Sequence, residues 1–250
     1  MISCKSSELE ALYQGYRQQT DLHFPESLPH EYVWGFGRLE SPVMLIGEAP
    51  GRDEVLQGKP FVGKAGKMLT AFLEGAGLER EDLFITNTMK YRLSKEGARP
   101  GVLVNRPARR EEILFSCEYL KREAEIIRPK VVVTLGNVPL KAVSLVSKGI
   151  ECACSRTDVP RFSALPEVGK LHGLPIENAF GIEGITLFPM YHPASMIYNP
   201  SLEKVYKGDL EKFFCYFSGF LKKGVDSGFS KWYTSKAVPL RGAAQTVGRG

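Results

Sequence analysis

Four short apolar runs recur along the chain, of which two are followed by glycine, one by Asn87 and one by Pro189. They occupy residues 43–46, 83–86, 131–135 and 185–188. Continuous apolar runs of this length are typical of strands that are covered on both faces. Between and around these runs, apolar residues recur at helical spacing, most clearly in residues 68–76, 113–127 and 210–221. The pattern therefore predicts strands that alternate with amphipathic helices.

Alternating strands and helices favour a parallel sheet with helices on both faces. We expect an α/β protein with three layers, α/β/α, around a central four-stranded parallel sheet. A single domain is predicted over residues 1–223, in which residues 1–33 form an opening helix, at 8–19, and a connection. Residues 149–184 are rich in Gly and Pro and carry no clear prediction, and residues 224–250 are expected to form a flexible basic tail.

Composition and charge fit a globular protein that meets a polyanion. The chain has 250 residues, 43% hydrophobic and 24% charged, with a formal net charge of +5. No apolar run is long enough to span a bilayer and the first residues do not form a signal peptide, so we expect a cytoplasmic, nucleoid-associated protein. Seven cations and one acid lie between Lys90 and Arg110. On charge alone this segment is either a solvated loop or a phosphate-contacting one.

Candidate chemical groups follow the predicted strands. Ligands of an open α/β sheet bind beyond the carboxyl ends of its strands, where Glu48, Asn87 and His192 are expected. A planar base would suit such a pocket, because Phe61 can stack and the Asn87 amide can both donate and accept on a base edge. His192 can donate to a carbonyl oxygen that gains charge, and Glu48 can hold or deprotonate a water.

Residues 58–65 nearly match a phosphate-binding P-loop, but the match fails at Ala65, which offers no hydroxyl to a magnesium ion. The stretch also does not directly follow its strand, as a P-loop does. Nucleotide triphosphate hydrolysis is therefore disfavoured.

Six segments occur in the order seen in the family 4 uracil-DNA glycosylases, which the chain resembles from about Trp34 to about Phe220. They are Gly47-Glu-Ala-Pro-Gly51, residues 57–66 (Gln-Gly-Lys-Pro-Phe-Val-Gly-Lys-Ala-Gly), Ile85-Thr-Asn87, Asn105-Arg-Pro107, residues 129–136 (Pro-Lys-Val-Val-Val-Thr-Leu-Gly) and Tyr191-His-Pro-Ala194. The resemblance implies a monofunctional enzyme that removes uracil from DNA by hydrolysing the N-glycosidic bond, which starts base excision repair.

The resemblance also assigns roles to individual residues. It implies that Glu48 positions or activates the water and that His192 steadies the departing uracil anion. At the base, Phe61 stacks, Asn87 reads the edge, Ala49 offers backbone contact and Glu54 supports the loop. Residues expected to contact DNA, including an apolar wedge at Met196 or Ile197, are Lys90, Arg92, Arg106, Arg109, Ser195, Met196 and Ile197.

One departure from the family is large. Its members hold a four-iron, four-sulfur cluster with four cysteines, of which only Cys117 has a counterpart here. Tyr91 stands at the third ligand position, and no cysteine lies between Cys4 and Cys117 to form the N-terminal pair. One thiolate cannot hold a cubane cluster, so we predict no cluster, no metal and no cofactor. Cys152 and Cys154 could bind a metal, but no second ligand pair accompanies them.

Several alternatives stay open at this point. A glycosylase of the same fold could act on another deaminated base such as hypoxanthine or xanthine. A catalytically inactive DNA-binding protein of this fold and a hydrolase of free nucleosides or nucleotides are further alternatives. A branch of the family that attaches covalently to uracil DNA carries a histidine in the region of residues 90–110, and none occurs here, so turnover is expected. The expected partner is damaged DNA, bound by a monomer without membrane contact.

Overall fold

The computed structural model describes residues 2–25, 29–75, 78–149 and 164–222. Seven strands lie in these ranges: β1 Phe36–Gly37, β2 Val43–Gly47, β3 Phe84–Asn87, β4 Ser94–Glu96, β5 Leu103–Asn105, β6 Val131–Leu135 and β7 Thr186–Met190. Eight α-helices accompany them: α1 Ile2–His23, α2 Arg52–Gln57, α3 Lys64–Gly75, α4 Arg110–Ile127, α5 Asn137–Ser147, α6 Val168–Leu171, α7 Ser195–Tyr198 and α8 Leu202–Lys222.

The central sheet has the order β1-β3-β2-β6-β7. The four predicted strands, β2, β3, β6 and β7, pair in parallel, which confirms the α/β class. The prediction of four strands was incomplete, because β1 adds a two-residue antiparallel edge to β3. A separate hairpin, β4 with β5, was also not predicted. Strands of two or three residues are too short to show the alternation from which strands are predicted.

Helices cover both faces of the sheet, because successive residues of a strand point to opposite sides. Met44 and Ile46 of β2 belong to a core shared with α1, α4 and α5. Val43 and Leu45 belong to a second core shared with α3 and α8. Each strand of the parallel sheet is buried along its whole length, which explains the continuous apolar runs in the sequence.

The carboxyl ends of the parallel strands meet at one edge of the sheet. Gly47 of β2 lies beside Asn87 of β3, and Leu135 of β6 lies beside Met190 of β7. The chain moves outward from β2 to β3 and then crosses to β6 on the other side, so the strand order reverses between β2 and β6. Crevices at such a reversal are the usual ligand sites of open α/β sheets.

The terminal helices are longer than the sequence predicted. The opening helix spans Ile2–His23 rather than 8–19, and the closing helix begins at Leu202 rather than 210. Within residues 164–184, where no element was assigned, the structure has α6 and a single turn at Ala179–Gly181. Residues 150–163 and the predicted tail at 224–250 lie outside the described residues. No helix of the described ranges is long and apolar enough to cross a membrane.

Candidate active site

A pocket of about 350 Å³ opens at the carboxyl edge of the sheet. Its size suits a small planar ligand. Segments from four distant parts of the chain form its wall: Ala49, Gly51, Arg52, Asp53, Glu54, Phe61, Gly63, Lys64, Ala65, Asn87, Asn105, His192 and Ala194. The pocket therefore brings together three of the four residues on which the sequence interpretation rests, Phe61, Asn87 and His192.

Phe61 is held in an unusual backbone conformation. Its φ is +53°, in the left-handed region that residues other than glycine rarely adopt. The residue is only 5% exposed. Arg80 fixes this turn from behind, because its Nη1 donates to the Phe61 carbonyl at 2.7 Å and its Nη2 donates to the Pro60 carbonyl at 2.7 Å. Sequence reasoning missed Arg80, which lies in a turn before β3 and carries no motif.

Gly47 allows the Phe61 ring and the Asn87 amide to meet. A Cβ atom at Gly47 would lie 2.4 Å from Asn87 Oδ1 and 2.4 Å from Phe61 Cζ, closer than van der Waals contact permits. Asn87 itself is 3% exposed at the end of β3. The glycine of the motif therefore makes room for a ring and an amide side by side over the end of β2.

His192 follows β7 and faces the Phe61 ring, with 6.0 Å between the ring centroids. The backbone N–H of Ala194 donates to His192 Nδ1 at 3.1 Å. A backbone N–H can only donate, so Nδ1 accepts and the neutral imidazole carries its proton on Nε2. Burial lowers the pKa of His192, and the carboxylate of Glu54 opposes that shift. The arrangement favours a neutral imidazole that donates from Nε2.

Ala49 lines the pocket, whereas Glu48, the residue before it, is partly exposed and is not among the lining residues. Its Oε1 accepts a hydrogen bond from the Ala108 backbone N–H at 3.2 Å. Burial raises the pKa of Glu48, and the Ala108 amide opposes the shift. A carboxylate with a raised pKa at the pocket edge has the electrostatic character of a general base.

Glu54 acts on the loop rather than offering a free carboxylate to a ligand. Its Oε2 accepts from the Gly51 N–H at 3.1 Å, and its Oε1 accepts from the Val62 and Gly63 N–H groups at 3.1 and 2.8 Å. These bonds tie α2 to the loop that carries Phe61. The expected loop-supporting role agrees with this geometry, whereas direct contact of its carboxylate with a base does not.

Lys90 was predicted to contact DNA, and the structure shows that this was wrong. Its side chain is 1% exposed, and Nζ donates to Glu123 Oε2 at 2.6 Å, to Thr86 Oγ1 at 2.6 Å and to the Asn87 carbonyl at 2.7 Å. Burial lowers the pKa of Lys90, and the Glu123 carboxylate opposes that shift. All three ammonium donors are used inside the protein.

The prediction of DNA contact was also wrong for Arg92 and Arg106, because both side chains are largely buried and bind carboxylates. The Arg92 side chain is 8% exposed and binds Glu31 at 3.3 Å. The Arg106 side chain is 14% exposed and binds Glu112 at 2.5 Å. Arg109 differs, because its side chain is 45% exposed beside Glu112, so its contact with DNA stays a prediction.

The segment after His192 forms the short helix α7 rather than an extended loop. Met196 was predicted as a wedge residue, but it is 5% exposed and packs in the core with α8, so this prediction was wrong. Ile197 is 37% exposed and Tyr198 is 87% exposed. Ser195 is the first residue of α7 and is partly buried. An apolar wedge at this place can therefore use Ile197 and the tyrosine that sequence reasoning missed.

Three charged pocket residues were given no role by the sequence interpretation: Arg52, Asp53 and Lys64. Arg52 and Lys64 are exposed cations beside the pocket, at the first positions of α2 and α3. Lys64 lies within the motif segment 57–66, whereas Arg52 directly follows Gly51, the last residue of the first motif segment. The sequence interpretation placed the DNA-contacting cations in the larger cationic cluster at residues 90–110 instead.

Comparison with known proteins decides the family. Residues 34–217 match the uracil DNA glycosylase superfamily. The chain belongs to this superfamily. It is 38% identical to a type-4 uracil-DNA glycosylase of Saccharolobus solfataricus over 182 residues, which cover 72% of this chain and 73% of that protein. It is 35% identical to one of Archaeoglobus fulgidus, over 78% of this chain and 85% of that protein.

The residues of this superfamily member do not fit the iron–sulfur cluster that the resemblance implies. Tyr91, at the third ligand position, is fully buried and its hydroxyl donates to Glu112 Oε1 at 3.1 Å. The His30 ring packs against it, with 4.6 Å between centroids. Across the described ranges, no group of three or more His, Cys, Asp or Glu side chains could hold a metal ion. Cys152 and Cys154 lie outside those ranges.

Proposed function

We propose that this protein is a monofunctional DNA glycosylase that removes uracil from DNA and leaves an abasic site. Membership of the superfamily and the type-4 uracil-DNA glycosylase relatives support the reaction class. The single observation that carries the assignment in this chain is the convergence of Phe61, Asn87 and His192 on one pocket. No feature of the pocket favours the alternatives of a different deaminated base or an inactive DNA-binding protein.

The bound base would be read by stacking and by its edge. Uracil, turned out of the duplex, stacks on Phe61 while the Asn87 amide donates to one edge group and accepts from another. The glycosidic bond between C1′ and N1 breaks with its electron pair moving to the base. The Nε2–H of His192 donates to the carbonyl oxygen on which the negative charge develops, which stabilises the leaving group.

Glu48 would supply the base for the attacking water. The carboxylate accepts a proton as the water oxygen bonds to C1′, so the first products are the uracil anion and a hydroxyl at the abasic site. The uracil anion then takes up a proton from solvent, and Glu48 returns its proton to solvent. Glu48 serves as a base only when ionised. Because the pKa of Glu48 is raised, its carboxylate becomes protonated at a higher pH than an ordinary glutamate. As the pH is lowered, we therefore expect the excision rate to begin to fall above the ordinary carboxyl range.

Contacts with the DNA backbone and stack would come from exposed groups around the pocket. Arg52 and Lys64 beside the pocket, with Arg109, provide cations for phosphates. Ile197 and Tyr198 provide an apolar wedge for the space that the base vacates. We infer a monomer acting on DNA in the cytoplasm, near the nucleoid, in which residues 1–223 form a single domain.

One assay tests the assignment. The pure protein is incubated with labelled duplexes that contain uracil, hypoxanthine or only normal bases, and abasic sites are then cleaved with alkali. Breakage at uracil supports the proposal. Breakage only at hypoxanthine, or binding without breakage, contradicts it.

We also propose that the enzyme works without an iron–sulfur cluster, because Tyr91 is bonded where a ligand would stand. The purified protein should be colourless, contain no iron and excise uracil at the same rate after treatment with a chelator. A brown protein with about four iron atoms per chain, the content of one cubane cluster, would contradict this.

A further inference from the structure

Glu112 is a buried carboxylate in the first turn of α4 with an unusually complete set of partners. It is 0% exposed. Arg106 grips it with both terminal nitrogens, Nη1 to Oε2 at 2.8 Å and Nη2 to Oε1 at 2.5 Å. The Arg109 backbone N–H donates to Oε2 at 2.7 Å, and the Tyr91 hydroxyl donates to Oε1 at 3.1 Å. Burial opposes its ionisation, but the bonds from Arg106 and Arg109 prevail and lower the pKa of Glu112.

Arg106 also binds the hairpin of β4 and β5, and so links that hairpin to the Glu112 carboxylate. Its Nε donates to the Ser94 carbonyl at 3.2 Å, and its backbone N–H donates to the Leu93 carbonyl at 3.0 Å. Its Nη1 also donates to the Pro107 carbonyl at 3.1 Å. A planar guanidinium that binds a carboxylate with two parallel bonds fixes geometry as well as charge. The backbone from Arg106 to Arg109 is therefore held at both ends by one carboxylate.

Ala108 lies between these two anchored residues, and its N–H is the group that donates to Glu48 Oε1 at 3.2 Å. The position of this amide decides where the Glu48 carboxylate points. It also affects how readily Glu48 ionises, because a hydrogen bond to the charged form lowers a carboxyl pKa.

We propose that Glu112 is a positioning residue for the glycosylase reaction: through Arg106 and the Arg109 amide, it places the Ala108 N–H that orients Glu48. The inference rests on the proposed role of Glu48 as the base. Glu112 touches neither the pocket nor the substrate, so it acts only through the loop. Tyr91 adds a further bond to the same carboxylate.

Charge must be separated from position in the test. Glu112→Gln alone would leave Arg106 without its counter-charge on the loop whose Ala108 N–H binds Glu48, and an unpaired cation there would favour the ionised base and hide the loss of the amide. The double variant Arg106→Gln/Glu112→Gln removes both charges together. Glutamine at this helix position still accepts from the cap N–H, so the start of α4 is kept. The other titratable groups that line the pocket are Arg52, Asp53, Glu54, Lys64 and His192, and none of them is changed.

The experiment uses two readouts. Single-turnover excision from a uracil duplex and the affinity for that duplex are measured together, and the titration of Glu48 is followed by carboxyl ¹³C NMR, assigned with Glu48→Gln. We expect the double variant to lose about tenfold in rate with little change in affinity, as for a displaced catalytic group. The Glu48 titration should move to higher pH. Tyr91→Phe, which removes one bond only, should shift both readouts in the same direction by less.

Ile127→Ala is the matched control, because Ile127 is buried at the far end of the same helix. It should lower stability without moving the Glu48 titration. Unchanged titration in the double variant and in Tyr91→Phe, with rates that follow only the folded fraction, would overturn the role of Glu112. A wild-type protein that leaves uracil in place would refute the proposed function, which is a different outcome from an active wild type with an insensitive Glu48.

Discussion

The pocket edge and the cationic segment 90–110 respond in opposite ways to tertiary structure. At the pocket edge, residues that the sequence placed after separate strands come together in space. In the cationic segment, side chains that the sequence offered to DNA turn inward, and Lys90 and Arg106 end in contact with buried carboxylates. Strand ends are placed by topology, whereas the direction of a charged loop side chain depends on the partners it finds.

Two of the acidic partners in this segment are distant in sequence. Lys90 meets Glu123, 33 residues away, and Arg92 meets Glu31, 61 residues away. A count of charges within residues 90–110 includes the cations but not Glu123 and Glu31, the acids that bind Lys90 and Arg92. A basic run is therefore evidence for nucleic-acid contact only when its side chains reach the surface. Here the exposed cations Arg52 and Lys64 lie beside the pocket instead, at the first positions of α2 and α3.

The largest expected effect concerns the stability of the cationic segment. Lys90→Met should destabilise the fold by about 3–5 kcal/mol, because it leaves the buried Glu123 carboxylate without its counter-charge. Urea unfolding followed by circular dichroism measures this. The salt dependence of DNA binding by the remaining folded protein should match wild type, and a lower salt slope would return Lys90 to the DNA interface.

A comparable loss, this time in rate, is expected at the pocket edge. His192→Ala removes the Nε2–H donor and should lower the single-turnover rate about a hundredfold or more, since one lost donor to developing charge typically costs about 2.7–4 kcal/mol. Urea unfolding should show only a modest change. An unchanged rate at saturating enzyme would exclude His192 from the reaction.

A smaller effect separates two neighbours on α7. Ile197→Ala should slow excision from double-stranded DNA about tenfold or less and leave single-stranded DNA nearly unaffected, because a wedge is needed only where a stack must be held open. Met196→Ala should instead lower stability, by about 2–5 kcal/mol, as for other buried Met truncations. Equal loss on both kinds of DNA would argue against a wedge at Ile197.

The smallest effect concerns a single exposed cation. Lys64→Ala should reduce the slope of log affinity against log salt by about 1, the change expected for one lost phosphate contact. Lys148→Ala is the control, because Lys148 is exposed at the end of α5 that points away from the carboxyl edge. Equal slopes for the two variants would show that Lys64 does not contact phosphate.

Much of the fold and part of the site could be predicted. The four parallel strands were predicted because each is buried on both faces and so reads as an uninterrupted apolar run. Phe61, Asn87 and His192 were predicted because their segments follow those strands or carry the family motif. Arg80 could not be, since its role comes from two backbone carbonyls that approach it only in the folded chain.

The sequence by itself determined the α/β class, the parallel strands and the segments that form the pocket, because strand periodicity and motif order are local properties of the chain. Only the tertiary structure decided that His192 carries its proton on Nε2, that Glu48 accepts from the Ala108 N–H, and that Lys90 is internal. Each of these depends on a hydrogen-bond partner that folding supplies. A hydrogen bond requires atoms about 3 Å apart, and such proximity between distant segments is set by packing rather than by residue type.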